Sequence, residues 1–142
     1  MKKLAWLLMI CILVVMFLNG CKKESSAKSE DYEIGPDRFP SMTFVLGERE
    51  QTGYEEKDGK LKYKYKTEED GYMDVYEYMS YLIDNCGGVV TVALNEGEKG
   101  KCEIAMESEE EGYVVKMEFD YLPDEYSVQI SRVAGKLKKE IQ

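Results

Sequence analysis

Apolar and polar positions alternate on different periods along the chain, and each period predicts a different element. Leu4 to Leu18 form an almost unbroken apolar run behind Met1-Lys2-Lys3. At ~1.5 Å per residue that run spans roughly 22 Å as a helix, short of the ~30 Å hydrocarbon core of a bilayer. A lysine-flanked run of this length reads as a secretory signal. Lys22 to about Pro40 is rich in Ser, Lys, Glu and Asp, with Gly35-Pro36 and Pro40 as breakers, and predicts a flexible tether. Met42 to Leu46 is a short apolar strand candidate, and the polar stretch from Gly47 to Gly59 ends in the turn signal Asp58-Gly59. Leu61, Tyr63 and Tyr65 then alternate with Lys60, Lys62, Lys64 and Lys66, a period-two strand with one apolar and one lysine face. The lysine row reads as a solvated face or as protection of an edge strand, with a binding stripe as the alternative.

The period next lengthens. Tyr72, Val75, Tyr76, Met79, Leu82, Ile83 and Cys86 follow the three-four spacing of an amphipathic helix. Thr67 or Asp70 is placed to cap its start, and Gly87-Gly88 supplies a left-handed stop. Four strands follow, carrying Val90, Val92 and Leu94; Cys102, Ile104 and Met106; Tyr113, Val115, Met117, Phe119 and Tyr121; and Tyr126, Val128 and Ile130 on their apolar sides. Each is apolar on one side only, which predicts an antiparallel sheet with one covered and one wet face. The expected class is α+β: about five antiparallel strands packed on one helix, in the order strand, helix, four-strand meander. The expected division is a signal over residues 1–20, a tether over 21–40, one domain over 41–135 and a charged tail over 136–142.

Composition narrows the chemistry. Loss of Lys2 and Lys3 with the signal moves the formal charge from −9 to −11, which argues against nucleic acid as a partner. Histidine is absent and Trp6 lies in the signal, so Ser-His and Cys-His dyads and histidine-ligated metals are excluded for this chain. Cys86 and Cys102 both fall on apolar faces and read as two buried, reduced thiols, not a disulfide. A hydrolase using carboxylates alone would draw on Asp74 with Glu77 or on Glu118 with Asp120, and nothing marks either pair as buried. The Glu107 to Glu111 cluster lacks the alternating ligand pattern of a calcium loop and reads as a solvated turn. No catalytic residue, cofactor or metal is therefore expected. Of eleven tyrosines, those at 63, 65, 72, 76, 113, 121 and 126 fit core-facing positions. Tyr78 and Tyr81 sit off the helix stripe and, with Met73, form the candidate contact patch.

Leu18-Asn19-Gly20-Cys21 resembles the lipobox recognised by the lipoprotein (type II) signal peptidase family. The resemblance implies cleavage between Gly20 and Cys21 and a diacylglycerol on the Cys21 sulfur, with the domain held on the extracytoplasmic face of the cell membrane. Asn19 departs from the Ala, Ser or Thr usual there. The order of elements resembles the cystatin-type arrangement, a curled sheet around one helix. The Gln-x-Val-x-Gly loop of that family is missing, so no protease inhibition is implied. Tyr81-Leu82-Ile83-Asp84-Asn85-Cys86-Gly87 and Gly112-Tyr113-Val114-Val115 resemble segments of small lipoproteins of low-GC Gram-positive bacteria, a group with no activity to transfer. The reading is a lipid-anchored, non-catalytic envelope protein that binds another envelope protein or an extracellular ligand through the wet sheet face or the helix flank. A small carboxylate-only hydrolase and an accessory solute-binding subunit are the alternatives.

Overall fold

Two turns in which the backbone takes positive φ frame the first half of the domain. Gly35 (φ 57°) joins β1 (Asp31–Ile34) to β2 (Asp37–Pro40). Asp58 and Gly59 (φ 53° and 74°) join β3 (Glu50–Lys57) to β4 (Lys60–Lys66), the left-handed pair that a tight hairpin requires. The computed structural model describes residues 31–68 and 70–138. The signal, Gly20 and Cys21, the tether as far as residue 30, and most of the charged tail lie outside the described residues.

Between the hairpins lies α1 (Met42–Leu46), where a strand was expected. A five-residue apolar run does not distinguish the two states, and Ser41 decides it: its Oγ accepts a hydrogen bond from the Phe44 N–H at 3.3 Å. The helix α2 (Gly71–Cys86) forms where the three-four period predicts it. Asp70 caps its start, accepting from the Tyr72 N–H at 3.0 Å, and Gly87 (φ 66°) ends it in the left-handed conformation. The chain continues through β5 (Val89–Val92), β6 (Gly100–Glu107), β7 (Tyr113–Tyr121) and β8 (Glu125–Ala134).

The class is α+β, built on a six-stranded antiparallel sheet in the order β3-β4-β8-β7-β6-β5 and a separate β1-β2 ladder. The expectation of five strands, one helix and a cystatin-type plan is corrected: β3 adds a strand outside β4, and the β1-β2 hairpin and α1 add a second covering layer. β4 is therefore interior, and its lysines do not guard an edge. Residues 31–40, expected to belong to the tether, are part of the folded domain, because Tyr32, Ile34 and Phe39 are buried in the core. Asp37, also buried, accepts from Ser108 Oγ (2.6 Å) and the Glu109 N–H (2.7 Å) and faces Arg132 Nε at 3.3 Å. That clasp fastens the hairpin to the far end of the meander.

The buried face of α2 is rotated from its predicted position. Tyr76 and Ile83, expected in the core, are 50 % and 44 % exposed, while Tyr78 is fully buried. The hairpin is the reason: Tyr78 Oη donates to the Pro40 carbonyl at 2.7 Å, and its ring meets Phe119 edge-on at 5.8 Å. Asp74 is buried as well, gripped by Arg49 from the α1–β3 loop through Nε (2.8 Å) and Nη2 (3.2 Å). β5 also departs from expectation. A register shift between Val90 and Val92 sends them to opposite faces, and Val89, Val90 and Val92 are all exposed.

Candidate functional site

The predicted contact patch does not assemble. Met73 is exposed and Tyr81 half-buried, but Tyr78 belongs to the core. Asp74 and Glu77 are likewise separated, the first buried against Arg49 and the second exposed. Glu118 and Asp120 do lie on the wet sheet face as expected. Cys102 and Cys86 are both free thiols, the first buried and the second half-buried. Burial pushes the Cys102 thiol up to about 12, and its Sγ lies 3.4 Å from Met79 Sδ. A thiol held protonated in apolar surroundings is a packing group, not a nucleophile.

Two of the concave regions among the described residues stand out, one on each face of the sheet. The wet-face depression, about 430 Å³, runs over Lys62, Lys101, Glu103, Glu118, Asp120 and Gln129. Register explains the row: Glu103 pairs with Glu118, Glu118 with Gln129, and Gln129 with Lys62. Its charges are largely matched by neighbours. Lys116 Nζ is 3.4 Å from Glu103, Lys101 Nζ is 3.7 Å from Asp120, and Gln129 Nε2 donates to Glu118 at 3.1 Å. Burial alone would raise the Glu103 carboxyl, but the Thr91 hydroxyl at 2.6 Å and the Lys116 ammonium outweigh it and hold the group below its ordinary value.

The second region is a groove of about 950 Å³ on the covered side, between α1 and β3. Its residues come mainly from four elements separated in the sequence. Thr43 and Phe44 are supplied by α1; Glu50, Gln51 and Tyr54 by β3; Tyr32, Tyr63 and Tyr65 by β1 and β4. Tyr54 and Tyr63 are register partners, reached by counting equal steps outward from the Asp58-Gly59 turn. Their rings lie 5.0 Å apart, and Tyr63 continues to Tyr32 at 4.6 Å and to Tyr65 at 6.4 Å. Tyr65 stacks on Tyr126 at 5.5 Å, so an aromatic row runs from the surface into the core. The deep end is locked by a 2.6 Å hydrogen bond between the Tyr32 and Tyr65 hydroxyls, and Tyr32 Oη also accepts from the Met42 N–H. The shallow end is open: Phe44 and Tyr54 are 53 % and 52 % exposed.

The groove is acidic as well as aromatic. Asp31, Glu48 and Glu50 line it, and Tyr54 Oη donates to Glu56 at 3.3 Å. Burial raises the Tyr63 phenol, and Tyr54, Glu56 and Glu33 nearby raise it further. Arg49 is the cation in the lining, and its guanidinium is engaged bidentately by Asp74. Lys62 and Lys64 project from β4 to the opposite face, where they flank Asp120 and Ser127; Lys66, at the strand end, faces a separate cleft with Glu48 and Glu50. Of the groove residues, sequence reasoning placed Tyr63 and Tyr65 correctly on the apolar side of β4 but missed Phe44, Glu50 and Tyr54. The hairpin symmetry about Asp58-Gly59 was the available signal for Tyr54. Comparison with protein-family models, curated proteins and solved structures finds no match for the chain.

Proposed function

We propose that this chain is a lipid-anchored, extracytoplasmic lipoprotein whose domain is a non-catalytic binding module, engaging a protein or ligand in the tyrosine groove. The observation that carries the binding reading is that two exposed aromatic side chains, Phe44 and Tyr54, line one groove whose floor is half-buried Tyr63 and buried Tyr32 and Tyr65. Large apolar rings with polar tips are the side chains that recognition surfaces favour, and ligand sites combine such rings with a few convergent polar groups.

The anchoring reading rests on the apolar run Leu4 to Leu18 and on Leu18-Asn19-Gly20-Cys21. Two acyl chains on Cys21, at ~0.8 kcal/mol per buried CH₂, give attachment that is effectively permanent. Replacing Cys21 by Ala is expected to release the protein from the membrane fraction and leave its N-terminus unlipidated by mass spectrometry. Unchanged retention and unchanged mass would overturn the anchor. Site-specific photocrosslinking in intact cells tests the groove. A photoreactive residue at position 54 is expected to give a discrete adduct that one at position 62, on the wet face, does not. Adducts from position 62 alone would move the binding surface to the other side of the sheet.

A further inference from the structure

The groove also carries information about what it binds. An ammonium or guanidinium group is attracted to the face of an aromatic ring by the ring quadrupole, and surrounding carboxylates add to that attraction. Both features are present together. The rings of Tyr54 and Tyr63 lie 5.0 Å apart at the open end, with Phe44 exposed in the same lining. Asp31, Glu48 and Glu50 are in the lining, while Glu33 and Glu56 act on Tyr63 from outside it. The alternation in β4 sends Lys62 and Lys64 to the opposite face, while Lys66, the register partner of Glu50 at the strand end, faces the neighbouring cleft that shares Glu48 and Glu50 with the groove.

Resting on the groove as the binding surface, we propose that its occupant is a basic peptide segment of a partner protein, extended along β3, with lysine or arginine side chains laid on the tyrosine rings. Size and setting favour a peptide over a small organic cation. A volume of about 950 Å³ stands at the upper end of the ~300–1,000 Å³ range of small-molecule sites, and this cleft lies open to solvent at Phe44 and Tyr54. β3 is the edge of the six-stranded sheet, and its acidic residues Glu50, Glu55 and Glu56 complement a basic strand laid beside it.

The test uses the full chain in neutral-detergent micelles and a fluorescein-labelled peptide of alternating lysine and threonine, followed by fluorescence anisotropy. The labelled peptide is expected to bind, to weaken as salt is raised, and to lose about tenfold in affinity when Tyr54→Ala and Phe44→Ala are combined. Glu50→Gln with Glu56→Gln is expected to weaken binding and flatten its salt dependence, while Lys101→Gln on β6, four strands away across the sheet, leaves it unchanged. Equal binding of a glutamate–threonine peptide, or full affinity after removal of both rings, would overturn the proposal. Displacement by tetramethylammonium at the concentrations at which free lysine–threonine peptide competes would overturn the peptide in favour of a small cation. A position-54 crosslink in cells combined with no affinity for the basic peptide would overturn the inference and leave the groove as the binding surface. Loss of both would overturn the two together.

Discussion

Strand β4 presents tyrosines to one side of the sheet and lysines to the other, and the two sides have solved the problem of exposed chemistry differently. On the lysine side, most charged groups have a partner on a neighbouring strand: Lys101 meets Asp120 in register, Lys116 reaches Glu103 diagonally, and Gln129 donates to Glu118. On the tyrosine side, the covering layer stops at β1 and α1, so Tyr54 and Phe44 are left in water above a tyrosine floor. A surface whose groups are already matched gains little from a partner. A surface with uncovered rings gains from each ring it buries, at about 25 cal/mol per Å² of apolar area. This contrast is what favours the tyrosine side in the proposed binding role.

The sharpest way to break this contrast is to exchange the two chemistries on β4. Tyr65→Lys places a cation in the covered face, where only 2 % of the residue is exposed, and is expected to cost upwards of about 4 kcal/mol. Urea denaturation would read this as loss of the folding transition; a preserved midpoint would mean that this face is not the core. Asp74→Ala is expected to cost about 3 kcal/mol, because the part-buried Arg49 guanidinium loses its bidentate carboxylate. The same change frees the α1–β3 loop, so peptide affinity falls alongside stability.

Alkaline titration sharpens the contrast at intermediate scale. Burial raises the Tyr65 phenol to about 12 from an ordinary 10.0, although its hydrogen bond with Tyr32 pulls the other way. Tyr126 is also raised, by burial and then by Asp74 beside it. A folded-state value above the unfolded one means that the unfolded chain releases its protons first. Stability is thus complete below about pH 10 and falls as pH rises towards 12 and beyond. Absorbance at 295 nm should show exposed tyrosines ionising first and the buried ones only with unfolding. A single step near pH 10 for all of them, with the fold intact, would contradict the buried row. The smallest effect is expected from Lys64→Tyr, which adds a ring to the wet face and should change stability by no more than about 0.5 kcal/mol.

How far the sequence reveals this arrangement follows from where each element finds its partners. The helix α2, with its Asp70 cap and Gly87 stop, and the strands β4, β6, β7 and β8 are legible because their information is local: a period and a punctuation mark. The exact face of α2 is not. Asp74 and Tyr78 are buried by Arg49 and Pro40, residues that are distant in sequence and leave no trace in the helix period. β3 carries no alternation because it is exposed along nearly its whole length, so an apolar count finds nothing there. In β1 and β2 the pattern is present, with Tyr32 and Ile34 two apart, a Gly35-Pro36 turn and then Phe39, but the charged residues around it resemble those of a linker. The groove draws on the three least legible pieces, β1, α1 and β3, which is why its exposed rings could not be assembled from sequence pattern alone.

The most direct test is side-chain NMR of the full chain with carbon-13 in its tyrosine rings and lysine side chains, titrated with the lysine–threonine peptide. The account predicts that Tyr54 and Tyr63 ring signals shift together and saturate at one dissociation constant, while the Lys62 and Lys64 signals stay in place. Shifts confined to the lysine face, or tyrosine rings that do not respond to saturating peptide, would contradict it.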